Sequence, residues 1–335
     1  MRLSLVEKFV ASVVVGSVMA WSAAVTSAQE ADRIAAAKKE GKLQIYSVMP
    51  RSYNDSIAKA FQQRYPFAQL TFFRSRGDAL LTRIVTEARA GRSSFDIVFI
   101  DMLEMLELKR LSLLSPYASP EAQLYRKHDK DPEGYWADFT NIYIVISYNR
   151  ELVPKDKVPK DWQDLLDPYW KGNIGLADDE FEWYGSLFHY WGNERAAKFF
   201  RALRAQDPQI RQGHTQLAQL TTTGEFPLAI NYAGSVEPLT KKGAPLVWMK
   251  TAKPIVYKST LVSIGKNTSS PNLAKLFIDF CLSRDGQQEV VRAGSAPARP
   301  GISKESDELD LRPIPLEVIQ NSNHYLQEFR QLFLR

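Results

Sequence analysis

The sequence predicts an α/β protein, because strand-like and helix-like segments alternate along most of the chain. Short apolar runs of the strand type are each followed by a polar turn and a segment with apolar residues at helical spacing. Residues 29–335 also suffice for two domains at roughly 100–200 residues each. We therefore expect two α/β halves rather than one compact unit.

The first 28 residues have the pattern of an export signal. Arg2 and Lys8 form a basic start, and Phe9–Trp21 is an apolar run too short to span a bilayer. The small residues Thr26-Ser27-Ala28 predict cleavage near Ala28, and therefore a periplasmic protein. No later apolar run approaches the ~18 residues of a membrane span. The single cysteine, Cys281, excludes an intramolecular disulfide and a site built on several cysteines.

The charge of the chain is mildly basic. It has 43 Lys and Arg against 38 Asp and Glu, a formal net charge of +5. Both signs are scattered, without a block of five or six like charges. This surface favours anionic ligands weakly and gives no support to nucleic-acid binding.

The stretch Lys42–Pro66 predicts the first strand–helix unit. Its apolar start is followed by Ser47 and a proline-containing turn, and Ser52, Asn54 and Asp55 offer oxygens for a helix N-cap. A helix that begins at the carboxyl end of a strand presents free N–H groups and a positive dipole end there. Arg51 stands at this point. The alternative is a capped helix with a solvated arginine.

The same arrangement comes back in the next segment. Leu70–Arg74 is a predicted strand, and Asp78 in the following turn Ser75–Asp78 can cap the next helix. Arg74 and Arg76 flank this second helix start. The apolar run Phe95–Ile100, which ends at Asp101, is typical of a strand buried on both faces.

Further strands and helices follow in alternation. The predicted strands are Asn141–Asn149, Asn173–Ala177, Phe226–Asn231, Pro245–Trp248 and Ile255–Ile264. An aromatic helix with Trp183 and Tyr184 follows Asp178 and Asp179, a clear amphipathic helix covers Pro271–Ser283, and Leu316–Leu334 is a helical tail.

Seven stretches, in this order, resemble the periplasmic solute-binding proteins of ABC importers, in the family that includes ferric-iron binders. They are LQIYSVMP…AFQQRYP, GDALLTRIVTEARAG…FDIVFID, ISYNRELVP, DWQDLLDPYWKGNIGL, GEFPLAINY, KKGAPLVW and SSPNLAKLFIDFCLSRDGQQ. The resemblance implies the two-lobed type 2 periplasmic-binding-protein fold, with a small solute held between lobes that two crossing strands join.

The same resemblance implies the organisation of the chain. Lobe one would comprise residues 29–138 and, on its return, 253–335, and lobe two residues 139–252. The crossings would be Asn141–Asn149 and a strand near Lys253–Ser263. We expect a monomer without cofactor that delivers its solute to a permease–ATPase complex of the inner membrane.

The iron-binding members of this family use two adjacent tyrosines after a GE-x-P segment, together with a histidine and an acidic residue. Here that corner reads Asn231-Tyr232-Ala233, so Tyr232 would be the single phenolate. No histidine precedes His128. Ferric iron prefers several anionic oxygen ligands, so iron is kept as the alternative ligand.

An anionic or zwitterionic organic solute is the preferred expectation, because an Arg fork and helix N-termini both bind carboxylate or phosphate. Aromatic residues of lobe two could form apolar walls or simply belong to the core. The acidic turn at Asp178 could cap a helix or bind an amine, and Arg299 could approach the cleft or pair on the surface. The candidate ligand-binding residues are Ser47, Arg51, Arg74, Arg76, Gly77, Asp78, Tyr143, Asp178, Trp183, Tyr184, Tyr232 and Arg299.

Catalytic motifs are scarce. Ser56-Ile57-Ala58-Lys59 matches the SxxK of serine acyl-enzymes, but the companion motifs S-D-N and K-T-G are missing. The four histidines show no ligand spacing. We expect no enzyme; a hydrolase and a receptor for a sensor kinase are the alternatives from other classes.

Overall fold

The computed structural model describes residues 30–92 and 95–334. The predicted export signal, residues 1–28, lies outside these ranges. Within them, no helix combines the length and the apolar character needed to cross a membrane.

Within the described residues, twelve strands form one continuous sheet. They are β1 (Lys42–Ser47), β2 (Gln69–Arg74), β3 (Ile97–Asp101), β4 (Leu114–Ser115), β5 (Ala137–Asn149), β6 (Ile174–Ala177), β7 (Gln209–Arg211), β8 (Leu228–Tyr232), β9 (Leu246–Trp248), β10 (Ile255–Gly265), β11 (Ala296–Pro297) and β12 (Leu311–Pro313). The main path runs β2-β1-β3-β10-β5-β8-β6-β7.

Helices pack against both halves of this sheet. They are α1 (residues 30–40), α2 (Arg51–Arg64), α3 (Gly77–Arg89), α4 (Met102–Arg110), α5 (Phe181–Trp191), α6 (Asn193–Ala205), α7 (His214–Thr223), α8 (Ala233–Lys241), α9 (Pro271–Leu282), α10 (Arg284–Arg292), α11 (Lys304–Asp307), α12 (Leu316–Gln320) and α13 (Ser322–Phe333). Short 3-10 turns fill several of the connections.

The strands β5 and β10 connect the two halves of the sheet. Residues Ala137–Tyr143 of β5 pair antiparallel with β10, and Ile144–Tyr148 then pair with β8. Strand β10 continues into the first half by pairing with β3. A single strand that changes partners midway belongs to both halves, so the architecture is α/β with two lobes joined by two strands. The first of them begins four residues before the predicted Asn141.

Each half has its own aromatic core. In the first, Phe61, Phe99 and Phe277 are fully buried beneath the sheet, and Phe61 meets Phe277 edge to face with centroids 5.0 Å apart. In the second, Trp162 and Trp183 are fully buried with centroids 5.0 Å apart. Two separate cores are what allows two lobes to keep their shapes while the cleft between them changes.

The C-terminal tail differs from the prediction in two respects. It forms two helices, α12 and α13, with Asn321 at the break, rather than one. Phe329 and Phe333 lie in the core of the second half, where Phe329 packs against Tyr184. Because these two large apolar side chains of α13 are buried there, α12 and α13 pack on lobe two. The sequence had predicted that residues 253–335 belong to lobe one.

Candidate functional site

Two cavities lie between the lobes. The helix-end cavity, of about 360 Å³, is bounded by the β1–α2 turn, the β8–α8 turn, the crossing strands and β11. The acidic cavity, of about 230 Å³, is bounded by the β3–α4 turn, the start of α5, the crossing strands and the C-terminal segment around α12. Asp101 and Lys258 line both cavities, so the two are adjoining arms of one cleft.

Helix α2 starts at the helix-end cavity without a side-chain cap. Its N-cap is Pro50, and no side chain accepts from its first turn, which contains no acidic residue. The prediction that Ser52, Asn54 or Asp55 caps this helix is wrong, because the helix begins earlier, at Arg51. The side chain of Asn54 instead accepts a bond from the Ser47 hydroxyl at 2.9 Å and so shapes the turn. The first N–H groups of α2 therefore remain unbonded by side chains beside the cavity.

Helix α8 starts at the opposite wall of the same cavity. Its N-cap is Tyr232, its first turn has no acidic residue, and no side chain caps it. Gly234 and Ser235 of that turn line the cavity. A Cβ atom at Gly234 would meet no atom within 4 Å, so the space in front of this turn is open. Two positive helix ends thus adjoin one cavity, an arrangement that favours an anion.

Lys258 on β10 lies where the two cavities join. Its Nζ is 3.4 Å from Glu182 Oε2 in lobe two and 4.0 Å from Asp101 Oδ2 in lobe one. The Glu182 carboxylate is the main cause that raises the pKa of Lys258 well above its ordinary value, against the effect of burial. Lys258 therefore stays positively charged between the lobes.

The sequence reading missed Lys258, although the signal was present. It is a charged residue inside IVYKSTLVSIG, a strand of apolar and small polar residues that is otherwise free of charge. A lysine in a largely buried strand needs partners of opposite charge, and this should have marked it as a cleft residue.

A second missed residue, His214, supports Tyr232. The two rings are stacked with centroids 3.4 Å apart and planes 19° apart. His214 Nε2 lies 3.5 Å from Oε2 of the buried Glu180. Burial lowers the pKa of His214 to about 3, so the imidazole is uncharged at neutral pH. Burial also raises the pKa of Glu180 well above its ordinary value. The Tyr232 ring is thereby packed against His214, which in turn lies beside Glu180.

The predicted arginines lie outside both cavities. The Arg51 side chain is 91% exposed with Asp55 at 3.5 Å, and the Arg76 side chain is 87% exposed with Asp78 at 3.3 Å. Arg74 donates from Nε to Met49 O at 2.9 Å and so stabilises the β1–α2 turn. The structure does not bring these three residues together around a ligand-sized space.

The start of α3 is also more crowded than expected. A Cβ atom at Gly77 would be 2.8 Å from Glu104 Oε1, so the Glu104 carboxylate packs directly against this helix end. Asp78 lies in the first turn of α3 and does not cap it, because Arg76 is the N-cap and no side-chain cap bond forms. Of the two helix starts predicted in lobe one, those of α2 and α3, only that of α2 lines the helix-end cavity.

Among the predicted aromatic residues, Tyr143 and Tyr232 line the helix-end cavity. Burial raises the pKa of Tyr143 to about 12 and that of Tyr232 well above its ordinary value. Trp183 and Tyr184 instead lie in the core of lobe two, where Tyr184 packs against Phe200 with centroids 4.5 Å apart. For these two residues the structure agrees with the alternative of core packing.

The last two predicted residues also lie away from the helix-end cavity. Asp178 follows β6, is half-buried, and its N–H donates to Arg211 O at 3.1 Å. The turn does not cap α5 through a side chain. Arg299 pairs with Glu121 and donates to Leu282 O at 2.9 Å, inside lobe one. Its guanidinium is thus engaged in a structural pair.

The family model of the bacterial extracellular solute-binding proteins matches residues 93–317, which is more than half of the chain. The chain belongs to this family. The predicted relationship to periplasmic solute-binding proteins of ABC importers is thereby confirmed. An uncharacterized protein of Haemophilus influenzae is 24% identical over 275 residues, which cover 78% of each chain.

Solved structures of other solute-binding proteins share the fold. Iron-bound HitA from Pseudomonas aeruginosa is 20% identical with a TM-score of 0.72, over 87% of this chain and 99% of that one. The periplasmic binding protein AfuA from Actinobacillus pleuropneumoniae, with fructose-6-phosphate bound, is 22% identical with a TM-score of 0.67, over 88% and 99%. At these identities the likeness extends to the fold and confirms the two-lobed type 2 architecture.

Proposed function

We propose that this protein is the exported substrate-binding subunit of an ABC importer and that it captures a small organic anion. The anionic group, a carboxylate or a phosphate, binds in the helix-end cavity. The single observation that carries this proposal is the placement of two uncapped helix N-termini, those of α2 and α8, at one cavity between the lobes.

The electrostatics of the cavity support an anion over a neutral solute. The N–H groups of Gly234 and Ser235 are orphan donors of a helix start. The Lys258 ammonium, which also faces Glu182 and Asp101, adds a positive charge. Glu237 and Asp101 also line the cavity, and Asp101 is the one that faces Lys258. Hydroxyl groups of Tyr53, Tyr143 and Ser295 suit the remaining polar groups of an organic solute. The size of about 360 Å³ suits a molecule of metabolite dimensions.

Capture follows from the architecture. Two lobes with separate cores are joined by β5 and β10, and the proposed anion contacts come from both lobes, α2 from one and α8 from the other. A solute that bridges both helix ends stabilises the closed cleft, because it interacts with both lobes only in that state. The closed, periplasmic complex would then deliver the solute to the permease.

Ferric iron is the second candidate, because HitA, a structural relative, is named as iron-bound. Tyr232 places a phenol in the cleft, but a tyrosine binds ferric iron in its ionised form, as a phenolate. Burial raises the pKa of Tyr232 well above its ordinary value, which opposes ionisation. Among the described residues, no group of three His, Cys, Asp or Glu side chains is arranged to hold a metal. The organic anion is therefore the better-supported ligand.

Native mass spectrometry of the protein purified from the periplasm tests this proposal. We expect an adduct that is released on unfolding as an intact molecule bearing a carboxylate or phosphate. The same preparation of Gly234→Asp, which places a carboxylate in front of α8, should lack the adduct. Bound iron with a visible tyrosinate-to-iron absorption band would contradict the proposal, as would release of a chemically altered product.

A further inference from the structure

The acidic cavity has a chemistry opposite to that of the helix-end cavity. Carboxylates from four different elements line it: Asp101, Glu104, Asp138 and Glu182. The basic groups that line it are Lys258 and His128. The two arms of the cleft therefore differ in the sign of charge that they favour.

The basic groups of the acidic cavity already have partners. Lys258 lies between Glu182 and Asp101, as described above, and His128 Nε2 lies 3.4 Å from Asp129 Oδ1. No Lys, Arg or His of the described residues forms an ion pair with Glu104 or Asp138. Within the described part of the chain, Asp138 and Glu104 thus have no ion-pair partner in this cavity, and the Glu104 carboxylate packs against the start of α3.

Asp138 is the decisive member of this group. It is 2% exposed and comes from the crossing strand β5. Its Oδ2 accepts from the Ser259 hydroxyl, whereas its Oδ1 is buried without any hydrogen-bond partner in the part of the chain that the structure describes. A buried carboxyl oxygen without a partner is unusual and energetically unfavourable. Asp138 lines the acidic cavity, so an N–H donor bound there could supply the hydrogen bond that this oxygen lacks.

The surroundings of the two carboxyl groups favour a cationic partner. Burial raises the pKa of Asp138 well above its ordinary value and also raises the pKa of Glu104. A bound ammonium group would reverse this effect by stabilising the ionised carboxylates. Since no three-ligand metal group is found among the described residues, an organic cation fits better than a metal ion.

We propose that the acidic cavity binds an ammonium group, with Asp138 and Glu104 as its partners, so that the solute of this protein is an amino-bearing organic anion. This inference rests on the proposed function, since the anionic group occupies the helix-end cavity. The two cavities adjoin at Asp101 and Lys258, so one molecule spans both arms.

Matched pairs of probes test this inference by calorimetric titration of the purified protein. The pairs are phosphoethanolamine with ethyl phosphate and 4-aminobutyrate with butyrate, which differ chiefly in the amino group. An ammonium bound to a buried carboxylate should make the amino member of at least one pair bind about 10- to 100-fold more tightly. Asp138→Asn, which keeps the shape of the side chain, should remove that advantage and leave the affinity for the amine-free member unchanged. Glu104→Gln is the second variant, should Asp138→Asn impair folding.

The outcomes separate the inference from the proposed function. Equal affinities within both pairs, or a preference that survives in Asp138→Asn and Glu104→Gln, would overturn the inference while the proposed function stands. Absence of binding by both amino compounds at millimolar concentration would also overturn it. The amine-free members decide the proposed function by themselves: if neither binds and ferric citrate does, the organic-anion proposal is wrong.

Discussion

The imidazole of His214 is stacked on the phenol of Tyr232, with ring centroids 3.4 Å apart. His214 begins α7 and Tyr232 precedes α8, so the contact fixes two turns of lobe two against each other. Because the imidazole is buried and uncharged, this contact depends on pH.

His214 should make the protein less stable in acid. Its pKa is lowered to about 3 in the folded protein, against about 6.5 in the unfolded chain. The unfolded state therefore binds a proton that the folded state does not, and the free energy of unfolding falls as the pH drops from 6.5 toward 3, by up to about 1.4 kcal/mol per pH unit. Denaturant unfolding of wild type and His214→Gln over this range measures the effect. The variant should be less stable than wild type at every pH, because the ring packing is lost, but its free energy of unfolding should depend less steeply on pH. If the free energies of wild type and variant fell in parallel with pH, His214 would not be the group responsible.

Gly234 gives a matched test of the α8 helix end. Gly234→Asp places a negative charge in the first turn, where it competes with a bound anion, while Gly234→Asn changes the size almost equally without the charge. We expect Gly234→Asp to bind the solute, or the best anion of the probe panel, at least about 10-fold more weakly than Gly234→Asn. An acidic residue in a first turn stabilises a helix by roughly 0.3–1 kcal/mol. The thermal unfolding midpoint of Gly234→Asp should therefore be no lower than that of Gly234→Asn. Equal affinities would exclude α8 as the anion site.

Lys258 and Arg51 distinguish the site in the structure from the one predicted from sequence. Lys258→Met removes a charge that lies between the lobes, and we expect a loss of about 10- to 100-fold in affinity. Arg51→Ala removes an almost fully exposed side chain in a surface pair of small energetic value, and its effect should be smaller. The sequence prediction, that Arg51 and Arg76 hold the anion, gives the reverse order. Titration of the wild type and both variants with one ligand decides between the two orders.

Trp183 should act in folding and not in binding. It is fully buried among Trp162, Phe199 and Phe200. Trp183→Phe should lower the free energy of unfolding by about 1–3 kcal/mol and leave the dissociation constant unchanged, as measured by denaturant unfolding and calorimetry. Tyr169→Phe, at a half-exposed position of the same lobe, serves as the control for stability. If Trp183→Phe weakened ligand binding without lowering the free energy of unfolding, Trp183 would belong to the ligand-binding wall of the cleft and not to the core.

Much of the fold could be predicted because it depends on local pattern. The run Phe95–Ile100 and the amphipathic Pro271–Ser283 are nearly where the structure has β3 and α9. The short strands β11 and β12 were not predicted, since two or three residues carry no periodicity.

The site was harder to predict, for a physical reason. Sequence indicates where strands end and helices begin, but not which of several such turns face a common cavity. Tyr143 and Tyr232, which were predicted to bind the ligand, both line the helix-end cavity. The arginines were predicted because of their charge, and Arg51 and Arg76 are exposed. Lys258 and His214 owe their roles to burial beside partners from other elements, Glu182 and Glu180, and such pairs become visible only in three dimensions.

The most direct test of the central claim is a crystal structure of the protein with the tightest-binding anion of the probe panel. The account predicts the carboxylate or phosphate group within hydrogen-bond distance of the Gly234 and Ser235 N–H groups, between the starts of α2 and α8, with Lys258 beside it. An anionic group held by Arg51 or Arg76 at the rim, away from both helix ends, would contradict it.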